Sequence, residues 1–409
     1  MTAPPPPPSP THILRTHTSP ISALSFSPDN ERLYSGDSAG HVVVTSTRSL
    51  RAITSWNAHT DSVLGVEEWG QRVITHARDN KLHVWTRVEE LPPSARLGGS
   101  AAQADLPRPT LCYSMDVNAL NYCRFSLLNL SRGNDAAALI ALPNLVDSSV
   151  ADVWSLPARE RIHAAIGQAG RKSIFSSEPG ERSQTGIIMS LHLFSVARSS
   201  SSSSQLDDEL RLLCAYENGG VTLRRYVRTE KEKSVEGAGW DVVWDVKVHV
   251  DTIMAMRVSR KNDFALTVSA DHIVGRYDLM ETKEPIAHKT KHPGNAAIAI
   301  RDDGRVCAIA GWDGRVRLYS TRSLKPLGTL KYHKTGCQAV EFARSISTAT
   351  EEIPGDDHHK EEGDEEEEDD DGSGAEMSLE EKADRARWLV AGGKDTRVSI
   401  WSLMSFEKS

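Results

Sequence analysis

Four histidine–aspartate pairs recur along this chain of 409 residues: His59 with Asp79, His249 with Asp271, His292 with Asp313, and His333 with Asp395. An imidazole beside a carboxylate is the core of many general bases and metal sites, because the carboxylate orients the ring and stabilises its protonated form. Each pair could therefore be a catalytic dyad. Repetition argues against that reading. In every case an aromatic residue follows the aspartate by six positions: Asp79 and Trp85, Asp271 and Tyr277, Asp313 and Tyr319, Asp395 and Trp401. A reaction needs one site, whereas a structural device recurs with the unit it holds together. A strand, turn and strand would place the aspartate at the bend and the aromatic on the neighbouring strand, where the preceding histidine can reach the carboxylate and bury the polar pair. All these residues are predicted to be staples, and no catalytic, cofactor-binding or metal-ligating residue is expected.

Other reactive groups are sparse. His358 and His359, flanked by Asp356 and Asp357, could hold a divalent metal weakly but read better as a surface cluster. The cysteines, Cys112, Cys123, Cys214, Cys307 and Cys337, are odd in number and never spaced C-x-x-C, so they are expected to be buried thiols rather than a disulfide framework or a zinc site. The basic run Arg224–Lys233 is interrupted by Glu230 and Glu232 and lacks the stacking aromatics of a nucleic-acid groove, so no direct nucleic-acid contact is expected. The phosphate-loop, nucleophile-elbow and zinc-protease motifs are absent from the chain, and an enzyme is not expected.

The elements that must position the pairs follow from the same periodicity. His17, His59, His249, His292 and His333 each precede an alternating apolar strand, with spacings of 42, 43 and 41 between adjacent members. Blades are expected at about 18–58, 59–109, 110–166, 186–249, 250–291, 292–332 and 333–406. The third and fourth lack the leading histidine; the third ends in Trp154, and in the fourth Arg224 stands near the aromatic position. The expected fold is all-β, a seven-bladed WD-repeat propeller, in which an orphan strand at His12–His17 completes the last blade and removes a free sheet edge. Residues 1–11 read as a disordered proline-rich tail without the pattern of a secretory signal, which favours an intracellular setting. Residues 12–409 read as the ring, with disordered inserts near 89–109, 198–208 and 344–386. No stretch approaches the roughly 18 apolar residues of a membrane span, so no membrane partner is expected.

The net charge of −8 conceals an asymmetry, since the insert 344–386 alone carries 18 acidic and 4 basic residues and leaves the rest at +6. Asp364–Asp371 is an unbroken run of carboxylates that would stay extended in water. It could attract basic partners such as histone tails, or serve as a solvated spacer.

The segments Leu14–Pro28, Trp56–Trp69 and above all Ile300–Ser320 (IRDDGRVCAIAGWDGRVRLYS) resemble the ASTRA-associated protein 1 family, which includes animal guanine nucleotide-binding protein β-subunit-like relatives. The resemblance implies a non-enzymatic nuclear scaffold, also present in the cytoplasm, within the ASTRA complex. That complex is tied to chromatin remodelling and to maturation of phosphatidylinositol-3-kinase-related kinases. It further implies partners among ASTRA subunits, helical-repeat kinase-related proteins, cochaperones and AAA+ ATPases, and no cofactor. The alternatives are a stand-alone histone-tail or phosphopeptide reader, which would need a charged pocket at the ring's opening, and a G-protein β-like subunit, which would need the N-terminal helix that a proline tract replaces here.

Overall fold

The computed structural model describes residues 8–90, 106–130, 137–168, 185–197, 208–227, 233–345 and 377–404. They form seven four-stranded antiparallel sheets. In the first sheet the strands run in chain order outward, Ile21–Phe26, Arg32–Asp37, His41–Ser46 and Ala52–Asn57. Short hairpins impose this order, because antiparallel neighbours need only a tight turn. Seven apolar clusters each join one sheet to the next, and the last of them packs Leu14, Val390 and Ile400 against Ile21, Leu24 and Leu33, so the series closes on itself. The fold is a seven-bladed β-propeller.

Closure uses both ends of the described chain. His12–Leu14 pairs with Val398–Ser402 in the register His12 to Ile400 and Leu14 to Val398, and the Thr11 amide and hydroxyl both donate to the Ile400 carbonyl. The closing strand stops at Leu14, short of His17, which takes a different role described below.

A register shift recurs near the start of the inner strand, between Ile21 and Ala23, Val63 and Gly65, Ile253 and Ala255, Asn295 and Ala297, and Cys337 and Ala339. The residue after each shift is small because the inner strands crowd together around the axis. A β-carbon at Gly65 would lie 2.7 Å from Arg124 Cγ, which reaches in from the third blade. The bulge supplies the extra twist that a blade needs close to the axis.

Two boundaries differ from the sequence expectation. Leu111–Asp116 is the outer strand of the second blade, pairing Trp85 with Leu111 and Lys81 with Asp116, so the third blade begins at Ser126 rather than at 110. The Pro/Ala/Gly stretch looks like a blade boundary but lies between the third and fourth strands of one sheet. The acidic insert is also not irregular throughout. Leu379–Arg385 is a helix opened by a capping box, in which Ser378 accepts from the Glu381 amide and the Glu381 side chain accepts from the Ser378 amide. Arg385 docks it by stacking 4.4 Å over Trp388 and donating to the Thr47 carbonyl. The proline tract, the serine run and residues 346–376 of the insert, including His358, His359 and Asp364–Asp371, lie largely or wholly outside the described residues. No helix among the described residues is long and apolar enough to cross a membrane.

Candidate interaction faces of the ring

The inner strand of each blade starts beside the turn that carries the aspartate, since Val63 pairs with Ala77 just ahead of Asp79. One face of the ring therefore carries the staples. In the second blade His59 Nδ1 lies 3.0 Å from both oxygens of Asp79, its Nε2 lies 2.8 Å from Thr75 Oγ1, and Trp85 Nε1 donates to the same hydroxyl at 2.9 Å. In the fifth, His249 Nδ1 sits 3.1 Å from Asp271 and Nε2 sits 2.7 Å from Thr267 Oγ1, with Tyr277 at the end of the chain. In the seventh, His333 spans Asp395 at 2.8 Å and Ser399 Oγ at 2.6 Å, and Trp401 meets its ring edge-on.

The hydroxyl–imidazole–carboxylate order is that of a hydrolytic triad, but the hydroxyls of Thr75, Thr267 and Ser399 are fully buried, where no substrate reaches them. Burial holds His59 and His249 below the ordinary imidazole range, against the opposing pull of Asp79 and Asp271. Asp79, although burial would raise it, is held below the usual carboxylate range by the Thr60 amide and by His59. Its bonds to the Thr60 and Lys81 amides tie the loop between blades to the turn within the blade.

The sixth blade departs from expectation. His292 is exposed and does not meet Asp313, which instead receives two N–H bonds from the Arg317 guanidinium. The reason is register. The staple histidine stands four residues before the bulge in the other blades, and counting back from Asn295 gives Lys291, so His292 is one residue out of place. Tyr319 remains buried in the packing between the fifth and sixth blades. Conversely, the first blade carries a staple absent from the expected set, with His17 bridging Asp37 at 2.9 Å and Ser35 at 2.8 Å. Val43 occupies the aromatic position there and hides the unit. The 20-residue step from His17 to Asp37, equal to that from His59 to Asp79, is the signal that reveals it.

Two trios, His17–Asp37–His41 and His59–Asp79–His83, bring potential metal-ligand atoms together. Both nitrogens of His17 and of His59 already hold protein partners, and the rings of His59 and His83 are stacked 4.6 Å apart rather than converging in-plane on a shared point. These trios suit staples better than metal centres. On the same face Leu120, Tyr122, Leu145, Val146 and Trp312 are exposed, with Arg78 stacked 4.6 Å over Tyr122.

The opposite end of the axial channel is charged. Glu67, Arg257 and Glu341 occupy the same position on the inner strands of the second, fifth and seventh blades, eight residues after the staple histidine. Arg124 bonds Glu67 at 2.7 Å, and Arg257 of the fifth blade reaches Glu341 of the seventh at 3.1 Å. That shared offset is a sequence signal for channel residues, one that the staple pattern overshadows.

The family model for the WD domain, G-beta repeat, matches residues 8–45. The ASTRA-associated protein 1 of Verticillium alfalfae is 32% identical over 414 residues, covering 97% of this chain and 93% of the relative. The chain belongs to the ASTRA-associated protein 1 family. The family member from Schizosaccharomyces pombe is 28% identical over 82% of this chain and 93% of its own length. The mouse guanine nucleotide-binding protein subunit beta-like protein 1 is 25% identical over 98% and 97%. Likeness to the ASTRA-associated protein 1 family thus extends around the ring, across blades with and without staples.

Proposed function

We propose that this chain is a non-enzymatic WD-repeat scaffold subunit of the ASTRA complex, acting in the nucleus, and also present in the cytoplasm, in chromatin remodelling and in maturation of phosphatidylinositol-3-kinase-related kinases. Family membership over 97% of the chain carries the reading. The physics supports it: the polar pairs that resemble catalytic dyads are spent on joining loops, while both faces of the ring offer surface for other proteins. The partners on this reading are ASTRA subunits, helical-repeat kinase-related proteins, cochaperones and AAA+ ATPases. Depleting the protein from its own cells should lower the steady-state level of those kinases without lowering their transcripts, with rescue by the wild-type chain. Unchanged kinase levels after full depletion would contradict the maturation role. A stand-alone reader of phosphorylated peptides is the second reading, and the arginines at the channel end favour it over a reader of basic histone tails.

A further inference from the structure

The charged end of the channel opens into a cavity of about 240 Å³ on the ring axis. Four guanidinium groups line it, from Arg124, Arg257, Arg260 and Arg344, against the three carboxylates of Glu67, Asp302 and Glu341. Arg124 and Arg257 are each bonded to a glutamate. Asp302 Oδ2 accepts from Arg260 at 2.7 Å and from the Ser345 amide at 2.9 Å, while its Oδ1 forms a loose ion pair with Arg344 at 3.8 Å. Among the described residues the Arg344 guanidinium lines the cavity with that loose ion pair and no hydrogen bond, which leaves N–H donors for a ligand.

Its backbone, by contrast, is clamped. The buried Asn30 side chain donates to the Arg344 carbonyl at 2.7 Å and accepts from its amide at 2.8 Å. Asn30 itself sits at φ 62°, a left-handed conformation that asparagine tolerates well. A guanidinium on a fixed main chain, aimed at a polar cavity and backed by two further arginines, is an arrangement for gripping a group with several acceptor oxygens.

We propose that this cavity binds a phosphate monoester, with Arg344 as the principal ligand and Arg124 and Arg257 as supporting charge. A phosphoryl group offers three acceptor oxygens that several guanidinium forks can share, where a single carboxylate offers two. Burial holds Arg257 below its ordinary value, with Arg124 and Arg344 deepening the effect and Glu341 and Glu67 opposing it; against its own burial Arg344 is held above its ordinary value by Glu341, Asp302 and Glu67, so a bound anion competes with these carboxylates. The inference stands apart from the choice of assembly above.

The test is fluorescence anisotropy on the full chain with a degenerate library of labelled heptapeptides centred on phosphoserine, beside its unphosphorylated twin. The phosphorylated library should bind, more weakly as salt rises, and be displaced by inorganic phosphate. Arg344→Gln should weaken binding about tenfold or more, and Arg344→Lys less, because an ammonium keeps the charge but loses the fork. Arg397→Gln, on the staple face, should change nothing. Melting curves run alongside guard against misfolding; the bonds from Asn30 use only the main chain of Arg344 and survive its substitution. Equal binding of the two libraries, displacement by free glutamate as readily as by phosphate, or wild-type binding by a well-folded Arg344→Gln would each overturn the proposal.

Discussion

A staple histidine is worth what its two buried partners would lose without it. Replacing His59 by alanine removes one partner each from the partly buried Asp79 carboxylate, which keeps the Thr60 and Lys81 amides, and from the buried Thr75 hydroxyl, which keeps Trp85, and should cost about 2 kcal/mol of stability in urea unfolding. His292→Ala, at an exposed position with no carboxylate beside it, should stay within about 0.5 kcal/mol of wild type. The comparison separates structural pairing from mere resemblance in sequence. Buried histidines also set the acid limit. Burial pushes His76 down to about 3 and His163 down to about 4, and holds His59 and His249 low as well. In the unfolded chain all would titrate near 6.5, so as pH falls below about 6.5 the unfolded state takes up protons that the folded state refuses, and stability drops. Asp37 and Asp79, held low in the fold, act in the same direction further down: their contribution is present above the unfolded value near 3.9 and is lost as pH falls from there through their lower folded values. Thermal melting should therefore be flat above about pH 7.5 and decline through pH 6 to 4. In His163→Phe, which keeps ring packing against Tyr226 and Trp240, the decline should be shallower. A melting curve indifferent to pH over that range would contradict the assignment.

At the scale of the element, closure and capping can be separated. Removing residues 1–10 leaves Thr11 and the His12–Leu14 strand in place and should not move the melting point. Removing 1–14 exposes the edge of Val398–Ser402 and should lower it by several degrees and promote aggregation. Ser378→Ala breaks the capping box and should speed amide exchange in residues 380–385, at about 1 kcal/mol locally, with the global transition unchanged. Much of this level is legible in the sequence, because strand alternation, the 42-residue period and the step from aspartate to aromatic all report the same blade. What escapes it has local causes. His292 stands one residue too close to Asn295 and so falls out of register, and Val43 hides the first staple. The acidic composition around Ser378–Glu381 masks a helix whose capping box was in plain view. The outer strand Leu111–Asp116 is cut from its sheet by a linker that resembles a boundary.

For the whole molecule the ring is a rigid frame on which other proteins can be held. Seven interlocking apolar seams hold two loop-bearing faces in fixed relation, one stapled by His–Asp pairs, the other opening on an arginine-lined cavity. The charged cavity is only partly legible in the sequence: Glu67, Arg257 and Glu341 share an offset from the staple histidine, but the arginines that meet them come from the third, fifth and seventh blades and converge only once the ring closes. The account turns on the chain being a resident part of a larger assembly. Quantitative mass spectrometry of the tagged protein, purified from its own cells as wild type and without residues 350–371, tests this most directly. The account predicts recovery of ASTRA subunits, kinase-related helical-repeat proteins and AAA+ ATPases in fixed proportion with both versions; histones alone, lost with the deletion, would contradict it.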